Sequence, residues 1–234
     1  MPDRLSSART ATRGVTLGVD VVLFTPRGSE LAVLLTPLAA ARGRTRERWS
    51  LPTDRLAADE SLGDAAARIA RDALGVAPSF LDQAGAIGGG RKQADGAPPQ
   101  VSVAYFGLVP DAGGGARHGA EWLGMSELPA LPARQREEID ATVAAMRARV
   151  DQQPIAFRLL PAAFTLSELQ AVYELLLGRR LHKASFRRSL HASALVEATD
   201  EWRSEGRGRP AQLFRYAPPR RRRQRRGIRF DLLG

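Results

Sequence analysis

The stretch that most constrains the fold is LPTDRLAADESLGDAAARIARDALGV, residues 51–76. Ser61 with Asp64 reads as a capping box and Gly75 as a C-terminal cap, so a helix lies between them. Leu62, Ala66, Ile69 and Ala73 recur at helical spacing and form an apolar stripe that needs a sheet or helix to cover it. Asp64, Arg68 and Asp72 follow at i, i+4 as a charged stripe, on which Asp72 is expected to pair with Arg68. Asp72 shares one helix face with Ile69 and Ala73 and is the only carboxylate among the three. A hard cation such as Mg²⁺ needs several oxygen ligands there, and Ile69, Asp72 and Ala73 supply one carboxylate. The expectation is a structural helix with no metal, no cofactor and no catalytic residue.

The preceding residues form strands. Residues 15–25 (VTLGVDVVLFT) and 30–35 (ELAVLL) are β-branched and apolar, and Pro26-Arg27-Gly28-Ser29 between them supplies a hairpin turn. Residues 39–48 are small and basic and read as a loop before Trp49. Residues 85–99 are Gly-rich and polar, and 101–109 (VSVAYFGLV) form another strand. Residues 111–119 are a loop, and AEWLGMSELP ends the first set of strands. Strands with interposed helices give an α+β sandwich. Residues 134–150 read as a helix through Ile139, Val143, Met146 and Val150, which either closes this domain or, as its place at a charge boundary favours, links it to the next.

A second module follows Gln152-Gln153-Pro154. Thr165 with Glu168 makes a capping box and Gly178 sits beyond the helix, whose buried stripe is Leu166, Leu169, Val172, Tyr173 and Leu176. After the turn RRLHK, a second helix spans about 183–195 with Phe186, Leu190 and Ala194 inward. Lys183, Arg187 and His191 recur at i, i+4, i+8 on another face, with Arg188 adjacent. VEAT, a basic loop bearing Arg203, Arg207 and Arg209, and AQLFRY then form a hairpin. Helix, turn, basic helix and basic hairpin describe a winged helix-turn-helix.

Charge separates the two modules. Through residue 151, 18 Lys and Arg balance 18 Asp and Glu; from residue 152 onward 17 face 7, so the whole net charge of +10 lies in the last third. A neutral module joined to a basic one points to a polyanionic partner, and helix, hairpin loop and net charge agree in sign for double-stranded DNA. Residues 220–226, RRRRQRR, add sequence-independent phosphate contacts in this reading. The chain has no cysteine, which removes disulfides and thiolate metal sites and agrees with a cytoplasmic location. No run is apolar enough to span a membrane, and residues 1–14 read as a flexible tail rather than a signal peptide. The three histidines show no metal-site spacing.

Residues 51–76 resemble a Nudix box in Glu60, Arg68, Gly75 and Val76. Its opening Gly is Asp54, and its three metal-binding Glu positions are Ile69, Asp72 and Ala73. With PIAFRLLPAAFTLSELQAVYELLLG, the FRR at 186–188 and GRGRPAQLFRY at 206–216, the chain from about 15 to 216 resembles the Nudix-related transcriptional regulators of NAD metabolism. The resemblance implies an N-terminal Nudix-like α/β/α sandwich and a C-terminal winged helix-turn-helix. It further implies a homodimeric repressor on a palindromic operator, with ADP-ribose or a related nucleotide or phosphorylated sugar as effector. Two alternatives stand beside it: a weakly active Nudix hydrolase, and a sugar-responsive regulator of the same architecture. Several positions depart from the family pattern. Thr36-Pro37 stands for a Lys-Arg pair, Thr53-Asp54 for paired glycines, and Lys183-Ala184-Ser185-Phe186-Arg187-Arg188-Ser189 lacks two basic residues and an Asn.

The domains expected are a tail (1–13), a Nudix-like effector domain (14–133), a linker helix (134–153), the DNA-binding domain (154–217) and a basic tail (218–234). Candidate DNA contacts are Thr165, Lys183, Ser185, Arg187, Arg188, His191, Arg203, Arg207 and Arg209. Candidate effector contacts are Arg48 and Arg91.

Overall fold

The computed structural model describes residues 16–38, 48–88, 100–110, 116–204 and 210–217. In the first part, strands β1 (Thr16–Arg27), β2 (Glu30–Leu38), β3 (Arg48–Ser50), β4 (Thr53–Arg55), β5 (Phe80–Gly88), β6 (Gln100–Leu108) and β7 (Glu121–Gly124) build one sheet. Its main path is β3-β2-β1-β6-β5, with β4 on β1 and β7 on β2. β1 and β6 run parallel and the other pairs are antiparallel. The hairpin β1–β2 closes with Arg27 opposite Glu30, and Gly28 takes φ 61 in the turn, which favours glycine.

β1 carries the run Val21-Val22-Leu23-Phe24, all fully buried. Such a run without alternation belongs to a strand covered on both faces. Helix α1 (Leu62–Leu74) covers one face, where Ala66, Ile69 and Ala73 pack with Val19, Val21, Leu23, Leu34 and Val103. Helix α2 (Ala133–Val150) covers the other, where Ile139, Met146 and Val150 join Val22, Phe24, Val33, Leu35 and Phe106. This is the expected Nudix-like sandwich.

Helix α2 also buries Gln135, Glu138 and Thr142, which blunts its amphipathic pattern. The Gln135 amide donates to Ser50 Oγ at 2.8 Å and accepts from the Leu51 N–H at 3.2 Å. Arg149 binds Asp82 at 2.6 Å and the Gln83 carbonyl at 2.6 Å, with its guanidinium 5.4 Å from the Phe106 ring centre. The helix is thus a layer of the first domain, and its C-terminal end runs into the core of the second.

The second domain follows a 3-10 turn (Ile155–Leu159) and comprises α3 (Leu166–Leu177), α4 (Lys183–Ser193) and a hairpin, β8 (Val196–Arg203) with β9 (Ala211–Tyr216). Phe164 exchanges both backbone hydrogen bonds with Phe214, at 2.9 and 2.7 Å, an isolated bridge that pins the N-terminal side of α3 to the wing. Phe164, Leu169, Tyr173, Leu176, Phe186 and Leu190 form its core. Among the described residues no helix is long and apolar enough to cross a membrane.

Several expectations are corrected. Only half of the first capping box forms: Ser61 Oγ accepts from the Asp64 N–H, but its hydroxyl donates to the Asp64 carboxylate, which leaves the Ser61 N–H unserved by it. Ala194 is exposed and left-handed (φ 51), ending α4, and Leu195 takes the inward place instead. β5 spans Phe80–Gly88 and so enters the segment described from the sequence only as Gly-rich and polar, because its glycines and alanines hide a strand that pairs along β6. β8 runs through Arg203, a residue expected in the hairpin loop.

Candidate nucleic-acid interface and effector cleft

The turn between α3 and α4 is pinned by one carboxylate. Glu174 accepts from the Leu181 N–H at 2.9 Å, from Gln170 at 2.9 Å and from Arg180 at 2.9 Å, while Gly178 (φ 68) lets the chain reverse. Helix α4 is anchored by Phe186 and Leu190, both fully buried, and Lys183, Arg187, Arg188 and His191 all stand exposed. At roughly 100° per residue, the pole opposite that anchor falls on Arg188, between Ala184 and Ala192. His191 and then Arg187 lie to one side of it, toward the buried face. The small alanines leave Arg188 room to enter a groove. Ser185 is half-buried, its hydroxyl 3.3 Å from His182 Nδ1.

Two of the sequence candidates hold the scaffold. Thr165 is buried, and its Oγ1 accepts from the Glu168 N–H at 3.1 Å while the Glu168 carboxylate accepts from the Thr165 N–H at 2.6 Å. Arg203 donates to the other oxygen of Glu168 at 2.7 Å and to the Ala163 carbonyl at 3.3 Å. This strut ties the base of the wing to the N-terminus of α3. Arg207 and Arg209 lie outside the described residues, as do Arg91 and the side chain of Arg48. Trp202, in β8 of the wing, is 57% exposed, and a lone tryptophan gives no signal of this in the sequence.

On the first domain, a cleft of about 180 Å³ lies along α1 and is lined by residues including Thr53, Asp54, Arg68, Asp72, Arg117 and His118. Arg68 does not pair with Asp72. Its guanidinium donates to Glu60 at 2.8 and 2.9 Å and to Asp54 at 2.6 Å. Those bonds hold the Glu60 and Asp54 carboxyls below their ordinary values. Folding brings β4 beside the helix, so acids distant in sequence displace the i+4 neighbour. Ile69 and Ala73 are 5% and 6% exposed and pack toward the sheet, which leaves Asp72 alone at the three metal-ligand positions. The residues present do not fit a divalent metal, and no cluster of three or more metal-ligating side chains occurs among the described residues.

The far wall of the cleft comes from Arg117 and His118, in the loop expected over residues 111–119. The Arg117 N–H donates to the Ala73 carbonyl at 2.9 Å, and His118 (φ 56) and Gly119 (φ 73) are both left-handed. A side chain at Gly75 would meet Arg117 Nε at 2.5 Å, so the arginine lies directly over the end of α1.

Fold and sites together define a Nudix-like domain joined to a winged-helix DNA-binding domain. Residues 156–216 match the family model of the NrtR DNA-binding winged helix domain. The chain is 29% identical over 208 residues to the ADPR responsive transcriptional repressor NtrR of Acinetobacter baylyi, covering 85% of this chain and 81% of that one. It is also similar to Shewanella oneidensis NrtR, crystallised in complex with a 27mer DNA, with a TM-score of 0.69 and 27% identity over 86% of this chain and 93% of that one. A MutT/nudix family protein from Enterococcus faecalis shares the fold, with a TM-score of 0.66 and 18% identity over 87% of each chain. The chain thus carries an NrtR-type winged-helix domain over residues 156–216, joined to a domain of Nudix-like fold, an arrangement similar to that of the NrtR proteins.

Proposed function

We propose that this protein is a transcriptional repressor that binds a palindromic operator as a homodimer, responds to ADP-ribose and controls genes of NAD metabolism. The observation that carries the reading is the exposed basic face of α4, with Arg188 at its outward pole and the helix fixed by Phe186 and Leu190, in a domain matching the NrtR model. A helix presented this way places Arg in a major groove, where its fork pairs with guanine, and the wing lies toward the flanking backbone. The similarity to a repressor responsive to ADP-ribose supports the choice of effector. In this reading the Nudix-like domain binds without turnover, because Ile69 and Ala73 cannot hold the metal that hydrolysis uses. Effector binding would reposition two DNA-reading helices that must match half-sites about one helical turn apart. A coupling of about 1–3 kcal/mol is enough to switch occupancy.

The test is fluorescence anisotropy on duplexes from upstream of the chain's own gene and its neighbours, at one fixed salt concentration, with and without ADP-ribose. Selective binding to one duplex over a scrambled version, shifted at least fivefold by ADP-ribose, is the expected outcome. Equal affinity for all duplexes would sink the operator reading. Hydrolysis of ADP-ribose that EDTA abolishes and Asp72→Ala removes would restore the enzyme alternative.

A further inference from the structure

We propose that the cleft along α1 binds a diphosphate group without a metal ion, with Arg117 and His118 in place of the cation. The proposal rests on the reading of the effector as a nucleoside diphosphate sugar. On this fold the charge of a bound diphosphate is ordinarily met by a metal on α1, and here Asp72 is the one carboxylate of that helix that lines the cleft. The neutralising charge has to come from side chains.

Arg68 and Arg117 are the two arginines lining the cleft. Arg68 is committed, its guanidinium held by Glu60 and Asp54 together. Arg117 is exposed and forms no ion pair among the described residues. Its backbone is bonded to the carbonyl of Ala73, one of the three positions where a metal ligand would stand. The next residue, His118, holds a left-handed conformation that a residue with a side chain seldom adopts. Such conformations persist where the surroundings enforce them and cluster at ligand sites. Here the conformation turns the chain so that both residues line the cleft. A guanidinium presents a planar fork of donors matched to phosphate oxygens, and the histidine ring adds one more donor. The volume of about 180 Å³ suits the diphosphate rather than a whole dinucleotide, so the nucleoside and sugar would extend beyond it. Asp72 opposes the same anion, which makes its charge diagnostic. Without a metal it repels the diphosphate; with a metal it would be required.

The experiment is calorimetric titration of the full-length protein with ADP-ribose and with inorganic pyrophosphate, each in EDTA and in Mg²⁺. Affinity should be the same in both buffers. Arg117→Ala should weaken it roughly tenfold or more, the usual loss for hydrogen bonds to a charged group, while Arg117→Lys recovers part. Asp72→Asn should tighten it in EDTA. Thermal melts of each variant confirm that the fold is kept. Binding that needs Mg²⁺ and is lost in Asp72→Asn overturns the metal-free site. ADP-ribose binding that survives Arg117→Ala overturns this site and leaves the effector reading standing. Binding of pyrophosphate but not ADP-ribose keeps the site and removes the effector, and binding of neither removes both.

Discussion

Arg188 and Arg203 look equivalent in the sequence, two basic residues in a basic module, and folding gives them opposite surroundings. Arg188 faces solvent at the outward pole of α4, while Arg203 turns back to Glu168 and the Ala163 carbonyl. Arg188→Ala should leave the thermal melt unchanged and cost about 1–3 kcal/mol of operator affinity per half-site, relaxing preference at one symmetric pair of positions. Equal losses on operator and scrambled duplex would make it a phosphate contact only. Arg203→Ala should behave the other way. It removes a bond to a carboxylate and one to a carbonyl, but both partners are about one-third exposed, so the expected loss of stability is about 1 kcal/mol. A melt that does not move would show that the strut carries no load.

At the scale of elements, the helices were legible where caps and periodicity agreed. Gly75, Gly178 and the Thr165–Glu168 box stand at the ends expected of them. β5 was not legible because its register with β6 is set by a neighbour rather than by its own alternation, and a bulge between Gln83 and Gly85 breaks the pattern further. The cleft residues Arg117 and His118 were invisible for a related reason: a short loop has no period, and only the fold brings it to α1. Phe186 was readable as an anchor, and Phe186→Ala should lower stability by about 3–5 kcal/mol, read from denaturant unfolding, since it opens a cavity against Tyr173. Helix α2 hides a titrating group. Glu138 is fully buried, and burial, reinforced by the nearby Asp20 charge, raises its pKa from 4.5 to about 8 despite Arg134 beside it. The folded state therefore holds a proton that the unfolded state releases above 4.5. The stability this contributes is complete below pH 4.5 and is lost as pH rises through about 8. Glu138→Gln keeps the neutral shape, so its melting temperature should stay flatter than that of the parent between pH 6 and 8. Parallel curves for the two proteins would place the proton elsewhere.

Across the whole molecule the two domains share one continuous apolar core, from β1 and β6 through α2 to α3 and α4, so a change at the sheet has a packed route to α4. Packing transmits strain because it is dense. The charge is divided where the packing is not: the first 151 residues are neutral and the rest carry the full +10. Much of that excess belongs to residues 220–234, which hold seven arginines and one aspartate. A run of arginines neutralises phosphates without distinguishing bases, whereas α4 presents a fixed constellation. Removing residues 220–234 should therefore weaken operator and random duplex by nearly the same factor. The plot of log affinity against log salt should become shallower by up to ~0.9 for each phosphate that the arginine run had neutralised, because every such pairing releases counterions from the duplex. The ratio of operator to random affinity, measured at one salt concentration, should not change. If the truncated chain lost that ratio while its random binding held, the arginine run would be reading sequence or groove width alongside α4, and the division between a charged tail and a discriminating helix would fail.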